Sequence, residues 1–131
     1  GILSIAAAKI WQKEPKIIAA DIDEESVDVT ANNAVTNNVE TNITSLLSDG
    51  YTNQQIKKAA PYDLIFANIL ANPLKAMSKD AYCSLKDGGC YLISGFIDNQ
   101  EQDIIKHHQE CGFKLLKIYR NENWRAALLQ K

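Results

Sequence analysis

Tyr62-Asp63-Leu64-Ile65-Phe66-Ala67-Asn68 runs directly into Ile69-Leu70-Ala71-Asn72-Pro73-Leu74. The first seven residues read as a strand ending on a polar amide. Pro73 suits the first turn of a following helix. Leu74, Met77, Ala81 and Leu85 then recur at i, i+3, i+7 and i+11, the spacing of a helix core face. Asp87-Gly88-Gly89 is expected to end that helix. A strand passing into a helix of this length is the unit of an α/β fold, so the same alternation is expected in the neighbouring stretches.

Downstream, Cys90 to Gly95 (CYLISG) reads as another strand. Asp98 or Asn99 is expected to cap a helix carrying Ile104, Ile105, His108 and Cys111, closed by Gly112. Phe113 to Tyr119 and Trp124 to Leu129 read as an antiparallel pair around Arg120-Asn121-Glu122-Asn123. Upstream, Lys16 to Asp21 (KIIAAD) is a short apolar run of the kind buried in parallel sheets. Asp23 can cap the next helix, with Glu24 and Glu25 in its positive first turn. That helix shows a stripe of Val27, Ala31, Ala34 and Val35 and ends at Asn37-Asn38. Asn42 to Leu47 is a second strand, Ser48-Asp49-Gly50 a turn, and Gln54 to Ala60 a short helix. Residues 2–13 read as a helix through Leu3, Ala6, Ala7 and Ile10, stopped by Glu14-Pro15. The pattern predicts an open, mostly parallel α/β sheet with helices on both faces and an antiparallel last strand, over residues 1–131 without an internal domain boundary.

Composition sets outer bounds. The chain has 131 residues, 46% hydrophobic and 23% charged, with a net charge of −2. These are ordinary globular values. No apolar run approaches about 18 residues, so no membrane span is expected. The mildly acidic balance argues against a broad nucleic-acid-binding face. Cys83, Cys90 and Cys111 form no CxxC pair, so free buried thiols in a reducing cytosol are expected, and the chain reads as cytoplasmic. His107 and His108 lack metal-ligand spacing and are read as surface and core-edge residues. Trp11 and Trp124 are read as packing residues. No metal site is expected.

In open α/β sheets the ligand sits beyond the carboxyl ends of the strands. Those ends are Asp21 to Asp23, Ser48 to Gly50, Asn68 to Asn72 and Ser94 to Phe96. Asp21 can accept hydrogen bonds from two vicinal ribose hydroxyls or can serve the next helix as a local cap. Ile22 can pack on a purine face. Asp49 can accept from an exocyclic amine or act as a turn residue. Asn68 carries both an acceptor and a donor, and can orient an amine nucleophile or simply turn the chain. The Ile-Leu-Ala segment after it offers an apolar wall.

Taken together, these motifs resemble the class I S-adenosylmethionine-dependent methyltransferases, with their Rossmann-like fold. They most closely resemble the bacterial enzymes that modify large-subunit ribosomal protein eleven. The resemblance rests on Gly1-Ile2-Leu3-Ser4-Ile5-Ala6-Ala7, on Ala20-Asp21-Ile22-Asp23 with Ser26-Val27 and Asn32-Asn33-Ala34, and most specifically on residues 67–74. Lys86-Asp87-Gly88-Gly89, Leu92-Ile93-Ser94-Gly95, Cys111-Gly112-Phe113 and Asn123-Trp124 extend it along nearly the whole chain.

The resemblance implies S-adenosylmethionine as cofactor. It implies that Gly1 closes a loop under the methionine part, Asp21 holds the ribose, Ile22 touches the adenine, Asp49 lies near the adenine amine, and Asn68 sits by the transferable methyl. The implied reaction is N-methylation of lysine and N-terminal amines of a large-subunit ribosomal protein. In the family a first strand, most of a Gly-x-Gly loop and a substrate-docking domain precede the position of Gly1. The chain is therefore expected to be part of a catalytic domain and to bind cofactor weakly by itself. The competing expectation is a non-catalytic remnant or interaction module that keeps only the fold. A phospho-receiver reading fails because the third strand ends in Asn68, and Ser94-Gly95-Phe96 contains no lysine.

Overall fold

A computed structural model describes residues 1–11 and 15–131. The chain forms two compact units, Gly1–Lys58 and Ala59–Lys131.

In the first unit, helix α1 spans Ile2–Ile10, strand β1 Ile17–Asp21, helix α2 Glu24–Thr36, strand β2 Ile43–Leu47 and helix α3 Gln54–Ala59. The end expected for α1 at Glu14 lies outside the described residues. β1 and β2 pair in parallel, with Ile17 opposite Ile43 and Asp21 opposite Leu47. Ala34, Val39 and Ile43 form the core, with Ile5, Ala8, Ile17 and Ala19 packed against it. The buried faces of both helices are rotated from the expected stripes. In α1, Ala7 is buried while Leu3 and Ile10 are exposed; in α2, Thr30 and Ala34 are buried while Val35 is exposed. In α1 the run Ala6-Ala7-Ala8 carries too little contrast in side-chain size to fix the inward face from spacing. Asp23 caps α2 as expected, accepting from Ser26 N at 2.9 Å. Asn38 adopts φ +56 after the last turn, a conformation asparagine tolerates better than most residues.

In the second unit, strand β3 spans Tyr62–Asn68, helices α4 and α5 Ala71–Ala76 and Ser78–Ser84, and strand β4 Leu85–Ile97. Helix α6 spans Glu101–Glu110, strand β5 Lys114–Asn121 and strand β6 Trp124–Gln130. The sheet order is β3-β4-β6-β5. β3 and β4 are parallel, and β6 runs antiparallel to both β4 and β5. The last strand thus folds back between its two predecessors. Leu74, Ala81, Tyr91, Ile93, Phe96, Ile104 and Leu129 are buried at the centre.

Four expectations are overturned by the structure. The single helix expected from Leu74 to Leu85 is broken at Met77, where the Ser78 hydroxyl donates to Lys75 O at 2.8 Å. Such bonding from serine back to the preceding turn bends helices. Gly88 and Gly89 do not end a helix but lie inside β4. They are held by long-range bonds, Gly88 N to Lys131 O and Lys131 N to Gly89 O. Neither Asp98 nor Asn99 caps α6; they form a 3-10 turn, and Gln100 occupies the cap position without a side-chain bond. The three cysteines are free but not buried, Cys83 being exposed and the other two partly so. Among the described residues no helix is long and apolar enough to cross a membrane.

Candidate functional site

In the first unit, the carboxyl ends of β1 and β2 bring Asp21 and Asp49 to one edge. The Ser48 backbone N–H donates to Asp21 O at 2.8 Å, so Asp49 follows immediately after the last rung of the ladder. Ser48 is buried, and its hydroxyl joins Gly50 O at 2.8 Å and Asn53 N at 3.2 Å. The turn bearing Asp49 is therefore fixed by a buried serine that the sequence reading left unassigned. A small polar residue before an Asp-Gly turn was the available signal.

Asp21 Oδ1 accepts from Asp23 N at 3.1 Å, which leaves Oδ2 free to accept from a ligand. One oxygen thus steadies the turn, while the cap of α2 belongs to Asp23, and Asp21 is exposed. Asp23 is committed to Ser26, whose N–H and hydroxyl reach Oδ2 at 2.9 and 2.7 Å. The Ser26 hydroxyl and backbone hold the Asp23 carboxyl below the usual carboxylate range. Ile22 projects 69% exposed, an unburied apolar surface beside the acid. Gly1, Asp21, Asp23, Ser26 and Thr30 line a cleft of about 390 Å³. A Cβ at Gly1 would strike the Thr30 side chain, so the glycine permits the close approach of α1 to α2.

In the second unit, Asn68 ends β3 opposite Ser94 of β4. Its Nδ2–H donates to Ser94 Oγ at 2.8 Å. Leu70 follows, 74% exposed, and caps α4. Because β6 is antiparallel, its first residue lies at the end of the sheet where β3 and β4 finish. Trp124, opposite Ile97, is therefore on that rim and 59% exposed. This overturns its reading as a packing residue. The reversal of direction at Asn121 to Asn123 was the signal that places Trp124 on the rim. Glu101 braces this hairpin, taking Arg120 at 2.6 Å and Arg125 at 2.9 Å. Arg125 in turn donates to the carbonyls of Glu122 and Trp124.

The family model described as "Ribosomal protein L11 methyltransferase (PrmA)" matches residues 1–131. Curated ribosomal protein L11 methyltransferases from Bradyrhizobium diazoefficiens and Caulobacter sp. are each 34% identical over 100% of this chain. The chain spans about 44% of the length of those relatives. The crystal structure of a ribosomal protein L11 methylase from Lactobacillus delbrueckii subsp. bulgaricus matches 98% of the chain and 63% of its own, with TM-score 0.88 and 28% identity. A SAM-dependent methyltransferase from Aquifex aeolicus shares the fold at TM-score 0.76 and 14% identity, over 95% of this chain and 73% of its own. With its whole length matched by one family model, and with the fold of the class I methyltransferases, the chain belongs to the ribosomal protein L11 methyltransferase family.

Proposed function

We propose that this chain supplies the nucleoside-holding and amine-orienting residues of a cytoplasmic S-adenosylmethionine-dependent protein methyltransferase. Its substrates are the lysine and N-terminal amines of a large-subunit ribosomal protein. The observation that carries this reading is Asn68 at the carboxyl end of β3, its amide nitrogen committed to Ser94 at 2.8 Å. That commitment leaves the carbonyl oxygen as the group an amine would meet.

The residues fit the cofactor. Asp21 retains a free carboxylate oxygen for the ribose hydroxyls, Ile22 offers apolar surface for the adenine, and Asp49 can accept from its exocyclic amine. Gly1, where a Cβ would strike Thr30, heads α1 at the place given to the methionine part. When bound, S-adenosylmethionine supplies a methyl group already activated on sulfur, so the protein's task is placement.

The remaining chemistry belongs to the amine. A lysine amine has a pKa near about 10.4 and attacks only when neutral. Transfer from water onto the apolar Ile69 and Leu70 disfavours its charged form. Asn68 Oδ1 can then accept one of the remaining N–H groups and aim the lone pair along the line of attack.

Transfer of labelled methyl groups to the ribosomal protein by the full-length enzyme tests the assignment. Asn68→Ala is expected to lower turnover by about 100-fold, the scale of a lost positioning contact. Asp21→Ala is expected to weaken cofactor affinity by about 10-fold or more, since a carboxylate–hydroxyl bond is charge-assisted. Unchanged turnover in both variants would remove the assignments.

A further inference from the structure

Asn68 does not hold itself in place; the adjacent strand holds it. Ser94 lies directly across from it in the parallel ladder, and Ser94 Oγ accepts from Asn68 Nδ2 at 2.8 Å. The polarity of this bond has a chemical consequence. An amide presents an acceptor at one end and a donor at the other. An attacking amine has N–H groups to give and a lone pair that must stay clear. Turned over, Asn68 would offer its NH₂ to that lone pair and oppose the reaction. In the observed arrangement the NH₂ is taken up by Ser94 and the carbonyl oxygen is left for the amine.

The next residue of β4 adds a backbone constraint. Gly95 sits at φ +94, in the register shift between Ser94 and Phe96 against β6. A Cβ there would collide with Ile69 O and lie 3.1 Å from Ile69 N and C. The β4 backbone thus abuts the residue that follows Asn68. Bulges beside active sites commonly re-aim a neighbouring side chain, and this one adjoins Ser94.

We propose that Ser94 is a positioning residue for methyl transfer, fixing the rotation of the Asn68 amide so that its carbonyl oxygen receives the substrate amine. The inference rests on the role given to Asn68 above. Its test uses the full-length enzyme with Ser94→Ala, Ser94→Thr, Asn68→Ala and the Asn68→Ala/Ser94→Ala double variant. Turnover and KM are measured for the protein substrate, and cofactor affinity by calorimetry. Ser94→Ala should lower kcat about 10-fold and leave KM and cofactor affinity within about twofold, the pattern of an interaction expressed in the transition state. Ser94→Thr, which keeps the hydroxyl, should restore most of the loss. The double variant should be no slower than Asn68→Ala, because both changes remove one device. Wild-type kcat in Ser94→Ala beside an impaired Asn68→Ala would overturn the role of Ser94 alone. Wild-type kcat in Asn68→Ala would overturn the reading of Asn68 and this inference with it. Losses that multiply in the double variant, or that threonine fails to restore, would make Ser94 a structural residue only.

Discussion

Asp21 and Asp23 stand two positions apart, and their hydrogen bonds assign them different tasks. Both carboxylate–serine bonds at the head of α2 belong to Asp23. Asp21 gives one oxygen to the turn and keeps the other free. Asp23→Ala should therefore lower the melting temperature by several degrees and leave cofactor affinity near its starting value. Asp21→Ala should do the reverse, losing affinity with little change in melting. Circular dichroism melts beside calorimetry separate the two, and a larger affinity loss in Asp23→Ala would exchange the assignments. The cap at Asp23 was legible in the sequence, because a cap is a local pattern: an acid, two further acids and a serine three positions on. Trp124 was not legible in the same way. Whether an indole is buried depends on which strand it joins and in which direction, and β6 reaches its place only by folding back between β4 and β5.

At the level of the element, β4 shows what local reading can and cannot reach. Its apolar run from Cys90 to Ile93 was plain from composition. Its first five residues, Leu85 to Gly89, carry a glycine pair that reads as a stop. They are nevertheless held by Lys131, more than forty positions away, and no local pattern encodes that pairing. The break between α4 and α5 was hidden for a different reason: helical spacing continues through Met77, while the Ser78 hydroxyl redirects the chain. That hydroxyl is buried and also lies 3.1 Å from His107 Nε2 and 3.1 Å from Cys111 Sγ, fastening the bend to α6. The bulge at Gly95 makes the sharpest element-scale prediction. A methyl group there meets the Ile69 backbone, at a φ that L residues rarely adopt. Gly95→Ala should cost about 1–3 kcal/mol of stability and displace the segment after Asn68. A urea midpoint equal to wild type would show that Ile69 yields freely. A midpoint shift with turnover intact would show that the close approach serves stability alone.

Across the whole chain, the α/β alternation was readable because each element's hydrophobic spacing is local. The second unit is where the chain's acid sensitivity should concentrate. His108 is completely buried, its ring among Tyr91 and Phe113 at centroid distances of 5.8 and 5.9 Å. Its Nδ1–H donates to Ile104 O at 2.8 Å, while Nε2 is buried without a partner among the described residues. Burial pushes its pKa below the ordinary histidine value; the Ile104 carbonyl opposes this, and the neighbouring His107 adds to it. The unfolded chain therefore takes up a proton near about pH 6.5 while the folded chain still refuses it. Stability is fully present above that value and declines as pH falls, by at most about 1.4 kcal/mol per pH unit until the folded histidine also protonates. A second decline belongs to Glu101 and Asp103. Bonds from Arg120 and Lys75 hold these two carboxyls below their usual range, so their contribution fades only under more acid conditions. His108→Phe keeps an aromatic ring in the box and removes the titration. Urea unfolding followed from pH 7.5 to 5 should give a falling midpoint for the wild type and a flatter one for His108→Phe. Parallel slopes would mean that the proton uptake of unfolding arises elsewhere, and that the buried imidazole is accommodated in its charged form.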